Sequence, residues 1–127
     1  MLVLLAAWLL PAPAMAVGLG QLAVTSTLGQ PFDARIPIFG VSEAELDSLS
    51  AKLGNASLFR KAGIDPTPYL YSLRFKIVTA DKRHPYIHVT SRTPLKEPSL
   101  EFLVEVQTGS STVVQHCVAL FDPPAER

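Results

Sequence analysis

Short runs of alternating apolar and polar residues, separated by proline and glycine, dominate this chain. In the run 32–38, apolar residues at even positions alternate with Asp33, Arg35 and Pro37. The same period of two recurs at 73–77, 87–90 and 100–106. A period of two places alternate side chains on opposite faces of a β-strand, so each run predicts a half-buried strand. Pro37 has no N–H to donate, which predicts that its strand lies at a sheet edge or ends there.

Further strands are predicted at both ends of this region. Residues 22–26 form a first short strand, and the strands around 73–77 and 87–90 form a hairpin across a polar connection at 81–83. Pro94 and Pro98 bracket an extended link. The last strand, 112–121, is apolar on both faces apart from Gln115 and His116, which predicts a central position in its sheet.

Two helical segments interrupt the strand pattern. Ser42 and Glu45 have the spacing of a capping box. Leucines at 46, 49 and 53 form an apolar stripe that ends at Gly54, so the pattern predicts a helix over 42–53. A second short helix is expected over 57–62, anchored by Leu58 and Phe59 and ended by Gly63.

Five or six short strands with closely spaced turn signals predict a mainly β domain. We expect an immunoglobulin-like β-sandwich with a short helical insertion between two of its strands. An α+β open sheet is the alternative.

The first sixteen residues have the pattern of a secretory signal peptide, although they lack its usual basic start. An apolar run over 1–10 is followed by two prolines and then by Ala14-Met15-Ala16, a small-residue cleavage site. The run is too short for a membrane span, which needs about 20 apolar residues. We therefore predict cleavage after Ala16, a single β domain over 17–124 with no membrane span, and a tail over 125–127.

The charge balance and the cysteine count limit the function further. Eleven basic and eleven acidic residues cancel, so the chain has no electrostatic footprint for nucleic acid. Cys117 is the only cysteine, which excludes an intrachain disulfide. Its apolar neighbours favour a buried thiol over a reactive one or one that pairs between chains.

No catalytic constellation is visible in the sequence. His84 and His88 would lie about 13 Å apart on a strand, which argues against a shared metal ion. His116 and Cys117 are adjacent and would point to opposite faces. Glu101 and Glu105 share a face, either as a carboxylate pair or, as we expect, as a solvated outer face with Gln107. We predict no catalytic residue, no metal and no cofactor.

A basic, partly aromatic strip is the one candidate interaction surface. Arg74 and Lys76 point to the same side as Tyr86 and His88 on the next strand, with further basic residues at Lys82 and Arg83 in the turn and at Arg92 and Lys96 beyond the strand. This strip suits an anionic partner, whereas an ordinary charged sheet face is the simpler interpretation.

Four segments, in this order, carry a resemblance to a known family: Gly18–Val24 with Leu28–Pro37, Tyr69–Phe75, Val89–Val106 and Leu120–Pro124. Together they resemble the N-terminal periplasmic domain of the FimV family, polar hub proteins linked to type IV pilus assembly and twitching motility. The resemblance covers essentially the whole chain after residue 16. In that family an aromatic residue is common at the position of Cys117, which again favours a packing role.

The resemblance implies a non-enzymatic periplasmic protein-interaction domain, with envelope or pilus-machinery proteins as its partners. A binding module for an anionic cell-envelope glycan such as peptidoglycan is the alternative. Full-length members add a LysM module, a transmembrane helix and a tetratricopeptide region. This sequence does not contain those segments, so their activities are not implied here.

Overall fold

The structure is a computed structural model that describes residues 17–109 and 111–121. The predicted leader, its cleavage residues Ala14 and Ala16, and the predicted tail lie outside the described residues. The strands are β1 Gly18–Leu19, β2 Ala23–Val24, β3 Pro31–Phe39, β4 Ser50–Leu53, β5 Arg74–Val78, β6 Tyr86–Pro94, β7 Ser99–Gln107 and β8 Thr112–Leu120. One α-helix, α1, spans Ala56–Ala62, and two 3₁₀ helices span Glu43–Ser48 and Pro68–Ser72.

Two antiparallel sheets pack face to face. The first has the order β1-β3-β6-β5, with β2 also paired to β3, and the second has the order β4-β7-β8. Phe102 of β7 lies between them and meets Phe32 of β3 and Phe75 of β5 edge to face, at centroid distances of 6.4 and 6.1 Å. The predicted β-sandwich is therefore confirmed over the open sheet, and so is the β5–β6 hairpin.

The inward positions of the long strands form the core. Ala34, Ile36 and Ile87 are completely buried, as are Val104 and Val106 on the facing sheet. Burying one valine or isoleucine side chain contributes about 1.5–3 kcal/mol. Since the chain cannot form an internal disulfide, this packing holds the two sheets together.

The edge position predicted for the strand that contains Pro37 is wrong. β3 lies between the N-terminal strands and β6, and it continues to Phe39. The carbonyl of Pro37 accepts a hydrogen bond of 2.8 Å from Gly20, so the Pro37 nitrogen also faces the N-terminal segment. That segment is between strands there, because β1 ends at Leu19 and β2 begins at Ala23. A residue without an N–H fits at this gap.

The central position predicted for the last strand is also wrong. In the part of the chain that the structure describes, β8 pairs only with β7 and forms the edge of the second sheet, while β7 takes the centre between β4 and β8. The outward positions Val114, Val118 and Leu120 remain exposed in consequence. Their apolar character therefore does not reflect burial within the described chain.

The predicted helix over 42–53 is replaced by a 3₁₀ helix followed by a strand. The Ser42 hydroxyl bonds the Glu45 carboxylate at 3.2 Å instead of capping a backbone N–H. Leu46 and Leu49 are buried because a spacing of three residues aligns side chains on a 3₁₀ helix too. Gly54 ends no helix: its N–H bonds the Leu103 carbonyl at 2.8 Å.

The second predicted helix is confirmed with its boundary shifted by one residue. α1 begins at Ala56, where the Asn55 side chain accepts the N–H of Leu58 at 2.9 Å. It ends at Gly63, whose φ of 71° is the left-handed conformation that glycine adopts most readily. Phe59 is buried and Leu58 is partly buried, so both predicted anchors contact the core.

A bulge breaks the β3–β6 ladder within Val89–Val106, one of the segments that carry the family resemblance. Pro31 pairs with Pro94 but Asp33 pairs with Thr90, so residues 91–93 of β6 oppose a single residue of β3. The buried Ser91 hydroxyl fills the gap by accepting the Phe32 N–H at 2.9 Å. It lies 2.8 Å from the Thr93 carbonyl and 2.6 Å from the Tyr69 hydroxyl.

We expect Ser91→Ala to lower the free energy of unfolding by about 1–3 kcal/mol, because it leaves the buried Phe32 N–H without an acceptor. Urea denaturation measures the change. Thr93→Ala is the matched control, since Thr93 contributes only its carbonyl to these contacts and should change stability by less than about 0.5 kcal/mol. Equal stability of both variants would show that the Ser91 hydroxyl does not hold the bulge.

Candidate functional site

The outward positions of β3, β5 and β6 form one surface, the outer face of the first sheet. In one row across this face, Lys76 lies beside His88 and His88 lies beside Arg35. In the next row, Arg74 lies beside Thr90, and Thr90 lies beside Asp33. The structure thus places the sequence-predicted Arg74, Lys76, Tyr86 and His88 on a common face.

Two other members of the predicted strip lie apart from these rows. Arg92 is exposed within the bulged segment 91–93, and Lys96 is exposed in the connection between β6 and β7. Neither has a ladder partner on β5, whose register ends with Arg74 opposite Thr90. They extend the positive charge beyond the sheet but do not belong to its central rows.

Pairing with β3 adds residues that sequence reasoning missed. The Arg35 guanidinium lies 4.7 Å from the centre of the Tyr86 ring, a cation–π contact. Beside it, a shallow groove of about 430 Å³ is lined by Pro37, Phe39 and Tyr86, with Arg83 and His84 also along its wall. Phe39 is 59% exposed. The sequence showed Arg35 as an outward residue, but only the β3–β6 register brings it to Tyr86.

Asp33 is the acidic group within this face. Its carboxylate lies 3.0 Å from Nε2 of His88 and accepts a hydrogen bond of 3.0 Å from the Thr25 hydroxyl. Desolvation raises the pKa of Asp33, but those two hydrogen bonds and the nearby charges of His88 and Arg35 outweigh it. The pKa of Asp33 therefore lies below its ordinary value.

The remaining sequence candidates have separate partners. His84 contacts Asp81 at 2.9 Å in the turn, while His88 contacts Asp33 across the sheet. On β8, His116 is exposed, whereas Cys117 is buried on the opposite face. Among residues 17–109 and 111–121, no three potential metal ligands come together.

The prediction that Glu101 and Glu105 both lie on a solvated outer face is correct for Glu101 and wrong for Glu105. Glu101 is exposed and lies 2.7 Å from His116. Glu105 is buried, with Lys52 of β4 at 3.8 Å and Gln107 at 3.5 Å. The two carboxylates differ because Glu105 lies opposite Lys52 in the β4–β7 ladder, whereas β4 pairs with β7 only from Val104 to Gln107 and does not reach Glu101.

We expect Asp33→Asn to lower stability at pH 7 by up to about 1 kcal/mol, a small effect because the Asp33 side chain is 43% exposed. A lowered folded pKa stabilises the fold fully above the unfolded value of about 3.8, and this contribution is lost as pH falls through the folded value. Urea denaturation at several pH values should therefore show the variant and the parent converging below pH 3.8. The exposed Asp47→Asn serves as control, and a gap that persists in acid would contradict the assignment.

We expect Cys117 to resist thiol reagents in the folded chain. Its side chain is buried, and burial raises its pKa to about 11, against a smaller opposing effect of Gln115. Since the thiolate is the reactive form, modification by a disulfide reagent near pH 7.5 should be slow for the folded chain and fast in denaturant. Rapid reaction of the folded chain at a rate equal to the denatured one would show an accessible thiol.

Comparison with known proteins identifies the family. Residues 17–124 match the family described as "FimV N-terminal domain Ig-like domain". The chain is also similar to "Motility hub protein FimV" of Pseudomonas aeruginosa, in strains PAO1 and UCBPP-PA14, with 35% identity to each over 108 residues. The match covers 85% of this chain and 12% of each relative. No solved structure matches this chain.

The comparisons agree with the architecture. An Ig-like domain is a sandwich of two antiparallel sheets, which is the arrangement of β1–β8, and this confirms the immunoglobulin-like class. The name of the relatives describes a motility hub and not an enzyme. Within the described ranges, no helix has the length and apolar character needed to cross a membrane. The chain belongs to the FimV family, and it carries the family's N-terminal Ig-like domain.

Proposed function

We propose that residues 17–124 act as a non-enzymatic periplasmic protein-interaction domain that supports type IV pilus assembly, twitching motility or polar organisation. The observation that carries this proposal is the outer face of the first sheet, where Arg35 lies against Tyr86 and where Arg74 and Lys76 stand on the same face of a rigid strand scaffold. The similarity to motility hub proteins supports the biological role.

The chemistry of the face suits an acidic protein surface. Arginine and tyrosine are enriched where proteins bind one another, because they combine a large contact area with directional hydrogen bonds. The surrounding grooves are shallow, and they suit a contact surface better than an enclosed substrate. The positive side chains lie on β3 and β5, which both pair with β6, so their spacing is fixed by the two ladders.

Export through the leader over 1–16 would place this face in the periplasm. The predicted cleavage site at Ala14 and Ala16 precedes β1, which begins at Gly18. Cleavage after Ala16 would leave the whole sandwich intact, because Val17 is the first core residue in the described chain.

An anionic cell-envelope glycan such as peptidoglycan is the second candidate partner. The exposed ring of Phe39 beside Arg83 favours it, because sugars bind to aromatic rings that have charged neighbours. The Tyr86 ring is less available for that role, since the Arg35 guanidinium already covers it. The protein partner therefore remains the first proposal.

Charge reversal tests both candidates. We expect Arg74→Glu with Lys76→Glu to weaken retention of pilus-machinery proteins on the immobilised chain by about tenfold or more, because two negative charges replace two positive ones on the face. Arg60→Glu with Lys61→Glu is the matched control: it makes the same charge change at the exposed end of α1.

Sedimentation with peptidoglycan separates the alternatives. Loss of co-sedimentation in the sheet variant alone would assign the face to the glycan. Retention of protein partners at parental strength by both variants would reject the outer face of the first sheet as the interaction surface.

A further inference from the structure

Among residues 17–109 and 111–121, nothing pairs with the edge of the second sheet along β8. Phe121, directly after β8, donates its N–H to the Pro98 carbonyl at 2.8 Å on the β7 side. Because backbone groups alternate sides along an antiparallel strand, the odd-numbered residues of β8 bond β7, and the even-numbered ones point their N–H and C=O groups away from it. Within the described residues, those even-numbered groups have no hydrogen-bond partner.

The N-terminal segment runs beside this edge without closing it. The Gln115 side chain donates a hydrogen bond of 2.8 Å to the Gly20 carbonyl, across the two layers of the sandwich. Two shallow grooves, of about 320 and 260 Å³, separate β8 from residues 21–22 and from residues 24–28. The backbone of the first sheet therefore contacts β8 through a side chain and leaves its edge accessible.

The edge lacks the features that keep exposed strands from pairing. Natural proteins protect an edge with lysine, proline, a bulge or a very short strand. β8 is nine residues long, contains no charged residue and no proline, and follows β7 in unbroken register. Its outward side chains include Val114, Val118 and Leu120, which are 41%, 48% and 78% exposed.

The outward side chains of β8 are nearly palindromic. Read along the strand they are Thr112, Val114, His116, Val118 and Leu120. In an antiparallel pair of two β8 strands centred on His116, each Val114 lies opposite the other copy's Val118. An apolar pair therefore flanks the centre on both sides. If the register shifted by one residue, the unpaired backbone groups of the even-numbered residues in one copy would lie opposite odd-numbered residues of the other copy. The backbone groups of those odd-numbered residues already bond β7.

We propose that β8 is a homodimerisation edge, at which a second copy of this chain adds its own β8 antiparallel with His116 on the two-fold axis. This register uses every free even-numbered backbone group and gives about ten inter-strand hydrogen bonds. It is isologous, because the same residues contribute from both copies. It joins the two three-stranded sheets into one continuous sheet.

The charges near the axis are compatible with this arrangement. Each His116 lies 2.7 Å from Glu101 of its own chain. Each imidazole at the axis therefore has a carboxylate on the side that faces away from the other copy. Apart from His116, the strand carries no basic or acidic side chain that would face its copy across the axis. Because one strand per copy buries less than the roughly 1,600 Å² of a standard interface, we expect a weak, concentration-dependent dimer.

Sedimentation equilibrium of the purified chain from about 1 μM to about 1 mM tests the association. We expect a monomer–dimer equilibrium that Val118→Pro shifts towards the monomer by about tenfold or more, because proline removes an outward N–H that the monomer does not use. Val118→Thr is the matched control: it keeps the branched shape and the N–H and should dimerise nearly as well. Circular dichroism checks that each variant is folded.

Cysteine cross-linking tests the register. Across a hydrogen-bonded antiparallel pair, opposed Cα atoms lie about 5.5 Å apart, within the roughly 4.4–6.8 Å that a disulfide spans. His116→Cys should therefore form a covalent dimer under mild oxidation. Val114→Cys should not, because its two copies would lie about 13 Å apart. The double variant Val114→Cys with Val118→Cys should cross-link again. The parent chain, with only the buried Cys117, is the background control.

Three results would overturn the proposal. The chain could stay monomeric at every concentration, or its dimer could be indifferent to Val118→Pro, or cross-linking could follow Val114→Cys and not His116→Cys. A monomeric chain that instead adds an extended peptide at β8 would assign the same edge to a different occupant. None of these results depends on the outer face of the first sheet, so they leave the proposed function to its own test.

Discussion

The contact of Phe102 with Phe32 and Phe75 joins the two sheets, and the rest of the structure depends on it. These rings meet edge to face across the sandwich, and Phe32 also meets Phe121 at 6.2 Å. No disulfide within the chain can replace them. The outer face of the first sheet is rigid because its strands are fixed from beneath by this packing. The same packing holds β8 in register, although it has a partner on one side only.

The Ser91 bulge gives a structural reason for part of the segment that carries the family resemblance. The hydroxyls of Ser91 and Tyr69 replace ladder bonds that β3 cannot make there. The connection that follows is fixed by Leu95, which is buried and exchanges backbone hydrogen bonds with Gly29 and Gln30. The positions that made the resemblance recognisable are, in this part of the chain, positions that shape the backbone. Binding surfaces lie elsewhere, where side chains are free.

Local patterns predicted which residues form strands but not which strands become neighbours. The period of two placed the long strands correctly because one face of each is buried. It could not show that Pro37 faces a gap between β1 and β2, or that β8 lies at an edge, because both depend on pairing between distant segments. The helix over 42–53 failed for a different reason: Leu46 and Leu49 are spaced equally well for a 3₁₀ helix. The same limit applies to the site, since Arg35 reaches Tyr86 only through the β3–β6 register.

The two proposed surfaces are compatible with each other because of the geometry of the sandwich. The second sheet contacts β5 through β4 on one side, so among the described strands its open side is that of β8. In that dimer the two-fold axis would be perpendicular to the continuous sheet that the two three-stranded sheets form. Both copies of the first sheet would therefore lie on the same side of the continuous sheet. Pairing through β8 would therefore present two copies of the basic outer face in one direction. Weak contacts made twice to one partner surface strengthen each other through effective concentration, without any new contact. A small neutral domain could then hold an acidic partner that a single copy binds only weakly.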